Sequence, residues 1–167
     1  MGKATETSII DKFLSLLFKY EIEEITVPLL LEELYYSRAT FYYHFRSVDD
    51  VVAAYYLNEE ISGIKTVASF QELFDLVYAY LSENEVVASK ILKSSVSDYL
   101  FAFLLNQIRK GFLSLNERKH WYQNIVDLEF SLFGAFGLLR KQLENSASLY
   151  ALKPCLKQIV GLLDAKL

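Results

Sequence analysis

Apolar residues in this chain return every three or four positions, and no stretch keeps the strict alternation of a half-buried strand. Ile10, Phe13, Leu17 and Tyr20 step by three, four and three, which predicts one helical face across Thr7–Tyr20. Glu21–Ile25 breaks the rhythm. Thr26 then suits a helix cap, and Pro28 suits a first turn, where its missing N–H costs nothing; a short helix over Pro28–Leu34 follows. Ser37 caps a second short helix, Arg38–Tyr43. Ser47 caps a third, with Asp50 three residues on in a capping-box-like pair, and that helix is expected to run to about Gly63.

Downstream the period stays helical. Phe70–Leu81 and Val86–Leu92 are separated by the polar Ser82–Glu85, and a strongly apolar helix follows from Ser95 or Ser97 to about Phe112. One long helix is expected from near Asn116 to Leu143, since Trp121, Ile125, Leu128, Leu132, Phe136, Leu139 and Leu143 recur in step. Its other face holds Phe130, Gly134 and Gly137. Glycine inside a helix costs about 1 kcal/mol against alanine, so close approach of another helix is the expected reason for both. Asn145–Ser148 reads as a polar loop, and Lys153–Pro154 opens the last helix, with Leu156, Ile159, Val160 and Leu163 on its apolar face. The expected fold is all-α, without internal repeat or linker.

Composition narrows the class. With 167 residues, 53% apolar and 23% charged, the chain is neither disordered nor turn-rich, and it holds only 6 Gly and 2 Pro. The uncharged stretches Tyr99–Ile108 and Phe130–Leu139 are far shorter than the ~20 residues that span a bilayer. Lys3 and Glu6 oppose a secretory leader, and Glu6 stands where an N-myristoylation start needs Ser or Thr. A lone Cys155 opposes a disulfide or a zinc cluster. A soluble cytoplasmic protein without membrane, metal or cofactor is expected. No Ser/His/Asp set, glycine-rich phosphate loop or carboxylate pair stands out, so no enzyme and no catalytic residue is expected.

Charge at first opposes nucleic acid. Residues 1–50 carry five cations and nine acids, Glu33 among them, while the remainder is balanced. Yet Leu34–Val48 holds Arg38 and Arg46 and no acid, so the local balance is +2 where a docking face would lie.

The run Ser37-Arg38-Ala39-Thr40-Phe41-Tyr42-Tyr43-His44-Phe45-Arg46-Ser47, followed by Asp49-Asp50-Val51, closely resembles the recognition segment of TetR-family transcriptional regulators. The spacing from Thr26 to Ser37 and the amphipathic helix before it match as well, so the resemblance covers roughly residues 5–55. It implies an N-terminal three-helix helix-turn-helix domain over residues 1–50. It also implies a helical domain over 51–167 that dimerises through its last two long helices, often around a small-molecule pocket. Tyr35 stands where the family usually has a turn glycine, and Glu32 and Val48 stand where cations are common.

The resemblance makes Thr26, Ser37, Arg38, Ala39, Thr40, Tyr42, Tyr43, His44 and Arg46 the candidate DNA-binding residues. Arg38 and Thr40 would read base edges and Tyr42, His44 and Arg46 would grip phosphates. Tyr43 fits either role, and Phe41 and Phe45 would lock the helix into the core. Tyr78, Tyr99, Phe103, Trp121 and Tyr122 are candidates to line an apolar effector pocket, against the plainer reading of an aromatic core. Cys155, beside an apolar helix face, reads as an inert thiol rather than a redox sensor. Leu132, Gly134, Gly137, Leu156, Ile159 and Leu163 are expected at the dimer interface, in a bundle from Asn116–Leu143 and Lys153–Lys166. The leading expectation is a homodimeric repressor on a pseudo-palindromic duplex operator, released by a small apolar effector. The rivals are the same fold serving as a protein-interaction module, and a small-molecule carrier.

Overall fold

The first N–H groups of a helix have no upstream carbonyl to bond, and hydroxyl side chains fill that need here. The computed structural model describes residues 2–32, 34–122, 124–145 and 149–165. Its helices are α1 (Gly2–Leu17), α2 (Val27–Leu31), α3 (Arg38–His44), α4 (Val48–Asn58), α5 (Phe70–Glu83), α6 (Glu85–Leu92), α7 (Ser97–Lys119), α8 (Ile125–Asn145) and α9 (Leu152–Asp164). Short 3-10 turns lie at Ile22–Glu24 and Leu149–Ala151. The fold is all-α, with no strand among the described residues. Thr26 accepts from the Leu29 N–H at 3.4 Å, Ser37 from Thr40 at 3.1 Å, Ser47 from Asp50 at 3.4 Å and Ser69 from Glu72 at 3.1 Å. The Asp50 carboxylate accepts from the Arg46 N–H at 2.8 Å, one residue ahead of the cap.

Packing divides the chain into two units. The first comprises the residues up to Glu59 together with Val86–Leu100. Here α1 packs on α2 and α4, and α2 on α3, around Ile9, Phe13, Leu17, Leu30, Phe41, Val51 and Val52. The boundary expected at residues 50/51 falls inside α4, and α6 joins this unit from far along the chain. Lys90 on α6 donates to the Tyr20 carbonyl at 2.9 Å and pairs with Glu21 at 3.2 Å.

The second unit comprises Glu60–Glu85 and the chain from Phe101 onward. There α9 packs on α5 and α8 around Phe70, Leu73, Phe74, Leu104, Phe112, Leu132, Leu139 and Leu152. Close approach requires a glycine at Gly111, where a Cβ would overlap Leu73 Cδ1 and lie 3.3 Å from the Ile64 carbonyl oxygen. At Gly134 and Gly137 a Cβ would meet nothing from elsewhere in the described chain within 4 Å. The approach expected at those two glycines is therefore not made by the described residues of the same chain.

Three expected elements are corrected. The helix expected to reach Gly63 ends at Asn58, because Ile61, Ile64 and Val67 are drawn into the second core. The Ile61 N–H donates to buried Gln107 at 3.2 Å, and Gly63 takes φ +80° in a turn. The helix expected over Asn116–Leu143 is two: α7 runs on to Lys119, His120 turns left-handed at φ +54°, and Asn124 caps α8 by accepting from the Asp127 N–H at 2.9 Å. Trp121 kept the helical spacing while lying in the link, its ring 5.1 Å from that of Phe70. Finally α1 stops at Leu17, leaving Tyr20 exposed. Ser146–Ser148 of the expected polar loop, Lys166 at the end of the expected interface segment, and Glu33 lie outside the described residues.

Candidate nucleic-acid interface

The turn between α2 and α3 carries Tyr35 at φ +54°, with a side chain 99% exposed. Beyond it Ser37 fixes the start of α3, and two rings fix its inner face. Phe41 is fully buried and Phe45 nearly so, with ring centroids 5.7 Å apart. Anchoring those two sends Arg38, Ala39, Tyr42 and Tyr43 outward, since residues one, four and five apart share a helix side. All four are exposed, Tyr42 at 58% and Tyr43 at 84%, and Arg46 is exposed just past the helix end. The outward side thus offers guanidinium and phenol donors, and no acid.

Other expected contacts are placed differently. Thr40 is half-buried and its hydroxyl lies 2.9 Å from that of Ser37, so it serves the cap. The His44 side chain is 8% exposed and turns back to α1, with Nδ1 3.3 Å from Glu6 Oε1. Thr26 is exposed at the start of α2 as its cap. Several N-terminal acids are engaged internally: Glu6 with His44, Glu21 with Lys90, Glu24 with the Glu21 N–H at 2.8 Å, and Asp50 with the Arg46 N–H. Of these only Glu21 meets a full cation, Lys90, which lies outside residues 1–50, so the balance of that segment overstates the repulsion by that one charge.

The five candidate effector residues have different surroundings. Phe103 stacks on Tyr80 at 5.1 Å, Trp121 on Phe70, and Tyr78 lies 4.9 Å beneath the Lys153 ammonium. Tyr99 belongs to the first unit and is exposed, while Tyr122 is half-buried, which pushes its phenol up. Burial likewise pushes the Cys155 thiol up, away from the reactive thiolate.

Of the six candidate interface residues, Leu132, Leu156, Ile159 and Leu163 are buried within their own chain, and Gly134 and Gly137 are exposed. The exposed side of α8 carries Val126, Phe130 (71%), Phe133 and Leu138, at steps of four, three and five residues, with Leu162 on α9. Open clefts of about 630 and 410 Å³ lie along it, the smaller reaching Leu162 and Leu163 of α9. The run Val126, Phe130, Phe133, Gly137 was a signal in the sequence; it is a second apolar stripe on a helix that already had one. The Glu6–His44 pair, 38 residues apart, left none.

Taken together, these features define an all-helical chain that presents a short capped helix, rich in donors and free of acids, after a tight turn. No known family model matches it, and no curated protein sequence does. It is similar to the solved structure of the dihydroxyacetone kinase operon activator DhaS, with TM-score 0.67 and 20% identity, over 97% of this chain and 95% of that one. The likeness shows the fold over nearly the whole chain. Among the described residues no helix is long and apolar enough to cross a membrane.

Proposed function

We propose that this chain is a TetR-like, sequence-specific DNA-binding regulator of transcription that acts as a homodimer. The observation that carries the reading is the outward side of α3, where Arg38, Ala39, Tyr42 and Tyr43 project from a helix fixed by Ser37, Phe41 and Phe45. A helix so fixed can enter a major groove, with Arg38 in its first turn reaching base edges and Tyr42 and Arg46 meeting the phosphates. A second copy, joined through the apolar side of α8, would place two such helices in successive grooves, about 34–36 Å apart on a pseudo-palindrome. The similar structure carries an activator's name, whereas a repressor is the expectation from sequence, so the reading is of a regulator of either sign. Of the effector residues expected from sequence only Phe103 is buried, Tyr78, Trp121 and Tyr122 are half-buried and Tyr99 is exposed, and no effector enters this reading.

The test is selection from a randomised duplex library at low and at physiological salt. A palindromic site should be enriched. Arg38→Ala should then cost about 1–3 kcal/mol and relax preference at one or two base pairs, while Arg46→Ala should weaken all duplexes alike and flatten the salt slope by about one. One observation favours a second reading: Tyr35, Tyr42 and Tyr43 make the exposed face largely aromatic, and Glu32 and Val48 withhold two cations. If no site is enriched at either salt, the face is one for a protein partner.

A further inference from the structure

We infer that Glu6, an acid on α1, is a positioning residue for sequence readout, acting through His44 on Tyr43; the inference rests on the DNA-binding reading above. A carboxylate oxygen only accepts, so at 3.3 Å the His44 Nδ1 donates to Glu6 Oε1 and the ring is held in one tautomer and one orientation. The seat is shaped as well as charged. His44 is 8% exposed, and its Cε1 lies 3.6 Å from where a Cβ of Gly2 would stand, one turn before Glu6 on the same side of α1. The edge of one ring then meets the face of the next: the Tyr43 and His44 centroids are 4.9 Å apart at an interplanar angle of 89°.

Tyr43 is 84% exposed and would otherwise sample its rotamers freely. The held imidazole beside it biases the phenol towards one arrangement on the outward side of α3. A side chain oriented before docking loses less freedom on binding, and supporting contacts of this kind decide whether a recognition group sits within reach of its target. Glu6 therefore has two opposed effects on DNA. Its charge repels every duplex equally, and its hydrogen bond favours the cognate one.

Those effects separate by substitution. Glu6→Gln removes the charge and keeps an acceptor, whereas Glu6→Ala removes both. The measurement is the ratio of affinities for the selected site and a scrambled duplex, together with the salt slope, for the wild type and both variants. Glu6→Ala should lower the ratio by about fivefold, the low end of a base contact's worth, and Glu6→Gln should restore it. Both should bind the scrambled duplex slightly better than the wild type. Thermal unfolding of each variant, and histidine ring NMR showing the His44 tautomer, separate positioning from loss of fold. If Glu6→Ala folds and keeps the wild-type ratio, or if Gln and Ala behave alike, the inference is overturned while the DNA reading stands. If the wild type selects no site, the DNA reading falls and this inference with it.

Discussion

α3 and α8 both hold large side chains out to water, and the difference between them is what those side chains carry. On α3 the exposed groups are Arg38, Tyr42 and Tyr43, each ending in a hydrogen-bonding atom. On α8 they are Val126, Phe130, Phe133 and Leu138, which end in hydrocarbon. A phenol or guanidinium can stay solvated until it meets a phosphate or a base edge, and single exposed rings of that sort are ordinary. A contiguous hydrocarbon stripe is not ordinary on a lone subunit, because water gains when it is covered. Length points the same way. The seven residues of α3 cannot hold a helix by propensity and depend on Ser37 and two buried rings, whereas the 21 residues of α8 have a full inner face and leave the outer one spare. Exposure alone therefore says little; the chemistry at the tip of the side chain separates a surface that reads from a surface that joins.

The largest effect should come from placing a charge on the joining surface. Phe130→Glu leaves the buried inner face of α8 intact, so the fold should persist. Association should weaken by about 3 kcal/mol or more, since a carboxylate would be trapped without a partner among Phe133, Leu138 and their copies. Light scattering at micromolar concentration should show a dimer for the wild type and a monomer for the variant. A variant dimer as tight as the wild type would remove α8 from the interface.

The two kinds of helical glycine give the next contrast. At Gly111 a methyl group must displace Leu73 against the fixed Ile64 carbonyl, so Gly111→Ala should destabilise by about 1–2 kcal/mol, overpacking outweighing alanine's better propensity. At Gly134 there is open space within the chain. In a Phe130→Glu background, Gly134→Ala should therefore stabilise by about 0.5–1 kcal/mol. Urea unfolding of the two variants should move in opposite directions.

Ser37→Ala should cost about 1 kcal/mol, because it removes the acceptor for the Thr40 N–H and frees the Thr40 hydroxyl at the same time. That loss lies wholly in α3. Amide exchange should accelerate at Thr40 and Phe41 and remain unchanged along α8.

Much of the first unit was legible in the chain because its signals are local. Thr26, Ser37 and Ser47 each cap within three residues, and Phe41 and Phe45 fall on the buried side at one turn's spacing. The outward side of α3 follows once those two are fixed. Harder were features set by distant partners. Trp121 continued the helical count into a link because Phe70, from another helix, holds it there. Lys90 ties α6 to the first unit across 70 residues, and His44 reads as a phosphate contact until Glu6 is found beside it. Periodicity tells which residues are buried but not what buries them, so Leu132, Leu156, Ile159 and Leu163 were assigned to a partner when their own chain covers them.

The smallest expected effect concerns Tyr35, where backbone and side chain make opposite demands. At φ +54° a residue with a Cβ is strained by about 1 kcal/mol, which glycine would relieve. Glycine also widens the unfolded ensemble, which returns about 0.4–1 kcal/mol to the unfolded state. The ring is 99% exposed, so no packing is lost on the folded side. Tyr35→Gly should thus leave stability unchanged or raise it by about 0.5 kcal/mol, whereas Tyr35→Ala, keeping the strained Cβ, should give no gain. Urea midpoints for the three proteins decide it. A Tyr35→Gly variant less stable than the wild type by a full kilocalorie would mean that the ring holds the turn through a contact of its own. The exposed aromatics beside α3 would then resemble those of α8, kept for what they cover rather than for the donors they carry.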